Sequence, residues 1–134
     1  MLGLGAAMVL VSFLWGATNP LIKKGSSGVN KIKCDNCILQ FLSEIHFLAR
    51  NWRYVLPFIL NQSGSVVYYF TLQQADLSLA VPVVNSLTFV FTALSGWVLG
   101  EEIPNKGTLM GMLLVVSGIT LCVFDKVTNF NTVA

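Results

Sequence analysis

Residues 77–100 read LSLAVPVVNSLTFVFTALSGWVLG, a run without a charged side chain that opens after Asp76 and stops at Glu101. A helix rises about 1.5 Å per residue, so about 20 apolar residues cross a hydrocarbon core about 30 Å thick. This run, at 24 residues, meets that length. Three more charge-free gaps lie on either side of it: residues 1–22, 54–75 and 107–124, holding 22, 22 and 18 residues. Stretches such as Leu109 to Val116 are apolar on every side and lack the period of two that a membrane barrel strand requires. Lipid offers no partner to backbone N–H and C=O groups, so these segments are expected to be helices.

The bulk composition agrees. Of 134 residues, 54% are hydrophobic and only 10% charged, against roughly 25% charged in soluble domains. The expected fold is an all-α integral membrane protein, a single domain over residues 1–134. Its spans should cover about 2–22, 54–72, 77–99 and 107–124, a four-transmembrane-helix bundle. The net charge of +2 is too small to suggest a nucleic-acid partner. The first apolar run lacks a basic leading region and an A-x-A site, so an uncleaved first helix is expected.

Charge placement predicts orientation. Lys23, Lys24, Lys31, Lys33, Arg50 and Arg53 lie between the first and second spans, and Lys106 lies between the third and fourth. The opposite side carries only Lys126. The positive-inside rule therefore puts loops one and three in the cytosol and both termini, with Asp76, on the far face. Spans of 18 to 24 residues suit more than one membrane, because tilt absorbs a few ångströms of mismatch.

Within the basic connection, Gly25-Ser26-Ser27-Gly28 reads as a flexible hinge. After it, Ile38, Phe41, Leu42, Ile45, Leu48 and Trp52 recur at helical spacing with polar residues between them. That pattern predicts an amphipathic segment over about 38–52, lying in the membrane interface. Trp52, Arg53 and Tyr54 would anchor it at headgroup depth.

Polar atoms inside a span must face protein or water. Thr18-Asn19-Pro20 closes the first span, and Pro20 is expected to bend or fray the helix. The second span carries Asn61-Gln62-Ser63-Gly64-Ser65 near its middle. In the third, Asn85, Thr88, Thr92 and Ser95 recur at steps of three and four and share one face, with Gly96 beside them and Pro82 a turn earlier. One reading of that stripe is interhelical hydrogen bonding, worth about 0.6 to 2 kcal/mol per contact. The other is the wall of a solute pathway. In the fourth span, Gly107, Gly111 and Gly118 project from one face and would let two backbones approach closely, across a dimer or within the bundle.

No Asp, Glu, Lys, Arg or His falls inside any span, so the usual mark of proton or ion coupling is missing. Cys34-Asp35-Asn36-Cys37 is a lone C-x-x-C. A structural zinc site needs four ligands, and the chain has three cysteines and one histidine, His46, in the amphipathic segment. An ordinary loop is the better reading, and no metal or cofactor is implied. His46 has no nucleophile at a recognisable spacing. No enzyme activity is expected.

Several of these residues resemble the transmembrane protein 234 family: Trp15-Gly16, Pro20-Leu21 and Lys23; Leu60-Asn61-Gln62, Gly64-Ser65 and Tyr68-Tyr69; Asp76-Leu77, Leu79-Ala80-Val81-Pro82 and Asn85-Ser86-Leu87; Leu99-Gly100-Glu101; Gly111-Met112, Gly118-Ile119 and Leu121-Cys122. The resemblance covers all but the hinge loop and the tail. That family is similar to half-size members of the drug/metabolite transporter superfamily, relatives of the small multidrug resistance exporters. The resemblance implies a four-helix protomer pairing into an eight-helix assembly, with three helices lining a chamber and the fourth, through Gly111 and Gly118, carrying the dimer contact. It departs from the exporters at Phe13, where their proton-exchanging glutamate would stand three residues before Gly16. Proton-coupled exchange of cationic drugs is therefore not implied. The charge bias also argues for a parallel rather than a head-to-tail dimer.

Two functional readings follow. In the first, the protein moves or binds a small neutral solute in a chamber lined by Asn19, Asn61, Gln62, Asn85, Thr88 and Thr92, whose amides and hydroxyls orient a ligand without buried charge. In the second, it is a non-transporting interaction or structural subunit on a transporter-like scaffold. The partners expected are the lipid bilayer and either a second copy in a parallel dimer or another membrane protein.

Overall fold

The computed structural model describes residues 2–102 and 105–133. Five helices carry the chain: α1 (Leu2–Gly25), α2 (Cys37–Arg50), α3 (Trp52–Leu72), α4 (Leu77–Val98) and α5 (Lys106–Val133). A single 3-10 turn, Val29–Lys31, lies between α1 and α2, and no strand occurs among the described residues.

α1 is the centre of the arrangement. α3 and α4 each pack along it, α5 packs chiefly on α4, and α2 leans on α3. The close approaches are made by glycine. A β-carbon at Gly16 would stand 2.3 Å from Phe91 Cβ on α4, and one at Gly64 would stand 3.0 Å from the Trp15 ring on α1. At the far end of α1, a β-carbon at Gly25 would meet the Arg53 carbonyl oxygen at 2.7 Å. Aromatic edges fill the space beside these crossings. Phe13 meets Phe91 at 5.6 Å and 88°, and Trp15 meets Tyr68 at 5.1 Å and 66°.

The protein-facing core is small: Val11, Ala80 and Val84 are fully buried, with Ser12 among them. Ser12 Oγ donates toward Met8 O at 2.7 Å and Val84 O at 3.2 Å, which leaves no polar atom stranded where α1 meets α4. Outward, large apolar side chains such as Phe58, Ile59, Phe89, Val98, Leu114 and Phe124 are exposed. An apolar surface of this extent suits lipid rather than water.

α1, α4 and α5 are long and apolar enough to cross a membrane, with α5 the most apolar and α1 the least. α3 has the length, 21 residues, but Asn61-Gln62-Ser63-Gly64-Ser65 at its middle lowers its hydropathy. Three of the four expected spans therefore stand out by length and composition. Two ion pairs mark the ends of the arrangement. Lys23 Nζ meets Glu101 Oε1 at 3.1 Å at one end, and Lys126 pairs with Asp76 at the other. Loops one and three thus share an end.

Two local expectations are corrected. Of the bend or fray expected at Pro20, the fray is absent: α1 continues as helix to Gly25. Pro20 is buried, and the following turn is pinned by its contact with Arg53 and Tyr54, so packing holds it despite the missing N–H. The Gly25–Gly28 stretch is a bonded turn rather than a flexible hinge. Ser26 and Ser27 hydroxyls donate to the carbonyls of Lys23 and Lys24, and Asn51 Nδ2 donates to Gly25 O at 2.8 Å. These bonds satisfy carbonyls that a helix C-terminus leaves open. α5 also outruns its expected span, continuing past Asp125 and Lys126, because a charge ends the membrane-compatible stretch without ending the helix.

Candidate functional site

Several polar residues of α1, α3 and α4 meet along a seam where α3 and α4 flank α1. Asn61, in the middle of α3, donates from Nδ2 to Thr18 Oγ1 at 2.8 Å and to Asn19 Oδ1 at 3.4 Å. Asn19 Nδ2 in turn donates to Thr92 Oγ1 on α4 at 3.3 Å. A chain of amides and hydroxyls therefore joins three helices. Trp15 Nε1 donates to the Asn61 carbonyl at 3.1 Å, fixing the backbone that carries the amide.

The seam has a dry side and an open side. Thr18 is buried and donates back to Leu14 O at 2.6 Å, as helix glue does. Asn19 is exposed, and Asn61 and Thr92 are half-exposed. Asn61 Oδ1 accepts no hydrogen bond from the described residues, so one acceptor of the chain remains open to a ligand.

Of the six residues expected to line a chamber, Asn19, Asn61 and Thr92 are brought together. Thr88 lies on the same helix but donates to Val84 O at 2.7 Å, within its own backbone. Gln62 and Asn85 are exposed, and neither side chain makes a hydrogen bond to another described residue. Within one chain the six positions are therefore not gathered around one space. Thr18, which joins the seam to α3, was visible in the Thr18-Asn19-Pro20 motif but was not among the expected lining residues.

The α5 glycines do not perform close packing within the chain. A β-carbon at Gly107, Gly111 or Gly118 meets nothing within 4 Å, so their surface is free. Gly111 borders a mostly apolar cleft of about 450 Å³ between α4 and α5, with Phe89, Ala93, Gly96, Trp97 and Met112. At its mouth, Gly96 gives Glu101 its place: a β-carbon there would stand 3.0 Å from Glu101 Oε2, the carboxylate that pairs with Lys23.

The remaining chemistry-bearing side chains are dispersed. Cys34, Cys37 and Cys122 are free thiols, and Cys34 Sγ lies 3.9 Å from Ser43 Oγ. No three His, Cys, Asp or Glu residues group as a metal site among the described residues.

Comparison with known families places the chain. The model of putative transmembrane family 234 matches residues 8–123. The chain belongs to the transmembrane protein 234 family. A transmembrane protein 234 homolog of Dictyostelium discoideum is 48% identical over 120 residues, covering 90% of this chain and 94% of that protein. A transmembrane protein 234 homolog of Anopheles gambiae is also 48% identical over 120 residues, covering 90% of this chain and 86% of its own length. No solved structure matches the chain significantly. The matched region of this transmembrane protein 234 family member spans α1 through most of α5, so the seam, the glycine crossings and the α5 surface all lie inside it.

Proposed function

We propose that this membrane protein binds and conducts a small neutral polar solute along the open seam. The observation that carries the reading is the Asn61–Asn19–Thr92 chain; the exposed amides of Gln62 and Asn85, on α3 and α4 outside that chain, likewise have no hydrogen-bond partner among the described residues. Amide groups facing hydrocarbon without a partner are costly, so they call for water, a solute or another protein surface. Neutral donors and acceptors in a row favour a ligand that exchanges hydrogen bonds without carrying charge.

In this reading α3 is the fourth span. Its polar centre is tolerated because Asn61 bonds to α1 at the open side of the seam, as polar residues within membranes do when they meet another helix. Loops one and three lie in the cytosol, and a second copy in parallel orientation closes the open side of the seam. The free α5 surface at Gly107, Gly111 and Gly118 supplies the contact. The scaffold then has the character of a half-size drug/metabolite transporter without the coupling carboxylate.

The test is flux. Liposomes carrying the purified protein are shrunk osmotically with glycerol or urea, and reswelling is followed by light scattering. Protein-containing vesicles should reswell faster than protein-free vesicles, and Asn19→Leu with Asn61→Leu should abolish the difference. Equal rates with and without protein for both solutes would contradict the reading.

The second reading, a non-transporting interaction subunit, is favoured by α2. Its side chains Ile38, Leu39, Phe41, Leu42 and Ile45 are all exposed, while Phe47 seats it over Gly28. Under that reading the seam only holds α1, α3 and α4 together, and the flux experiment gives no signal.

A further inference from the structure

At the loop-one end, Asn51 ties α1 to α3. Its Nδ2 donates to Gly25 O at 2.8 Å, while its Oδ1 accepts from the Arg53 backbone N–H at 3.2 Å. Gly25 lets the two backbones touch, with Arg53 O only 2.7 Å from where a β-carbon would sit. This clamp holds together the backbones that carry two cations, Lys24 and Arg53, both of which line one cleft of about 400 Å³. Elsewhere its walls are apolar: Leu21, Leu56, Pro57 and Leu99.

Neither cation is neutralised. The neighbouring Lys23 takes Glu101, and no described carboxylate pairs with Lys24 or Arg53. Arg53 lies over the Trp52 ring, 5.8 Å from its centroid, an arrangement that holds the guanidinium at headgroup depth. Two positive charges beside an apolar slot, at the end where a membrane surface would lie, match one ligand shape: an anionic head on a hydrocarbon tail.

We propose that Lys24 and Arg53 hold the phosphate-bearing head of an anionic phospholipid whose acyl chain enters the cleft between Leu21, Leu56 and Leu99. Arg53 suits the phosphate oxygens with its planar fork, and Lys24 adds a point charge. The site is independent of the seam, which lies deeper in the bundle on other side chains.

The full-length protein, purified in neutral detergent, is titrated with phosphatidylserine and separately with phosphatidylcholine, and bound lipid is read by native mass spectrometry. Phosphatidylserine should bind more tightly. Each near-surface cation should account for about a five-fold change and both for roughly thirty-fold, so K24Q/R53Q should lose most of the preference. K24R/R53K keeps both charges and should stay within about two-fold of the parent. K31Q/K33Q removes the same charge from the same connection away from the cleft and should change affinity less than about three-fold. Equal losses in the two glutamine pairs would mean diffuse surface attraction and overturn the site, as would full retention in K24Q/R53Q. Competition by soluble glycerol phosphate as strong as by the lipid would overturn the lipid assignment in favour of a free phosphate site.

Discussion

Gly16 and Gly118 are both membrane glycines, and the structure gives them opposite roles. A β-carbon at Gly16 would lie 2.3 Å from Phe91 Cβ, a distance that requires α1 and α4 to separate. Overpacking of this kind costs about 1 to 3 kcal/mol. Gly16→Val should therefore lower the thermal unfolding midpoint of the detergent-purified protein by several degrees. Gly118→Val should leave it unchanged, since nothing lies within 4 Å of that position. A loss at Gly118 matching that at Gly16 would show that α5 is packed differently. Sequence spacing singled out the α5 glycines because they recur on one helical face, but spacing cannot tell a face buried within the chain from one left free. Gly64 gives no periodic signal at all. Its role comes from the Trp15 ring of another helix, a contact that lies 49 positions away in the chain and appears only on folding.

At the level of the helices, α1, α4 and α5 were legible from charge gaps, because a membrane forbids unpaired charge for the length of a span and that constraint is one-dimensional. Their ends were less so. α5 continues through Asp125 and Lys126, and α1 runs on through Pro20, because backbone hydrogen bonding does not require lipid. α3 is the instructive helix. Its polar centre is compensated by Thr18, Asn19 and Trp15 of α1, so its place depends on a neighbour rather than on its own hydropathy. Inserted alone between reporter tags, the segments should partition in the order α5, α4, then α3, as scored by glycosylation of flanking acceptor sites. Adding α1 ahead of α3 should raise its insertion. Unassisted insertion of α3 as complete as that of α5 would contradict this dependence.

Across the molecule, the seam was half legible. The Asn85–Ser95 stripe shows that α4 has a polar face, and the motifs at Asn19 and Asn61 show that two other helices carry amides. Which of these residues meet is a matter of helix rotation and depth. It brings Asn19, Asn61 and Thr92 into one chain, turns Thr88 onto its own backbone and leaves Gln62 and Asn85 outside. The Lys24–Arg53 cleft had no sequence signal, since the two cations lie 29 positions apart and are joined by the Asn51 clamp. The ion pairs contribute little to holding the arrangement: the Lys23 and Glu101 side chains are 73% and 37% exposed, and pairs so solvated are worth about 0 to 1 kcal/mol. What holds the molecule together is helix contact through small residues and the hydrogen bonds of the seam.

The central claim is that this seam meets water rather than lipid. The direct measurement replaces Cys34, Cys37 and Cys122, places single cysteines at Asn19, Asn61 and Thr92, and exposes sealed membranes to a membrane-impermeant maleimide from each side in turn. The account predicts labelling at all three seam positions while a cysteine at the lipid-facing Leu114 stays unreacted. Seam positions that stay unreacted while a loop control at Ser27 labels fully would contradict it and leave the polar residues as packing alone.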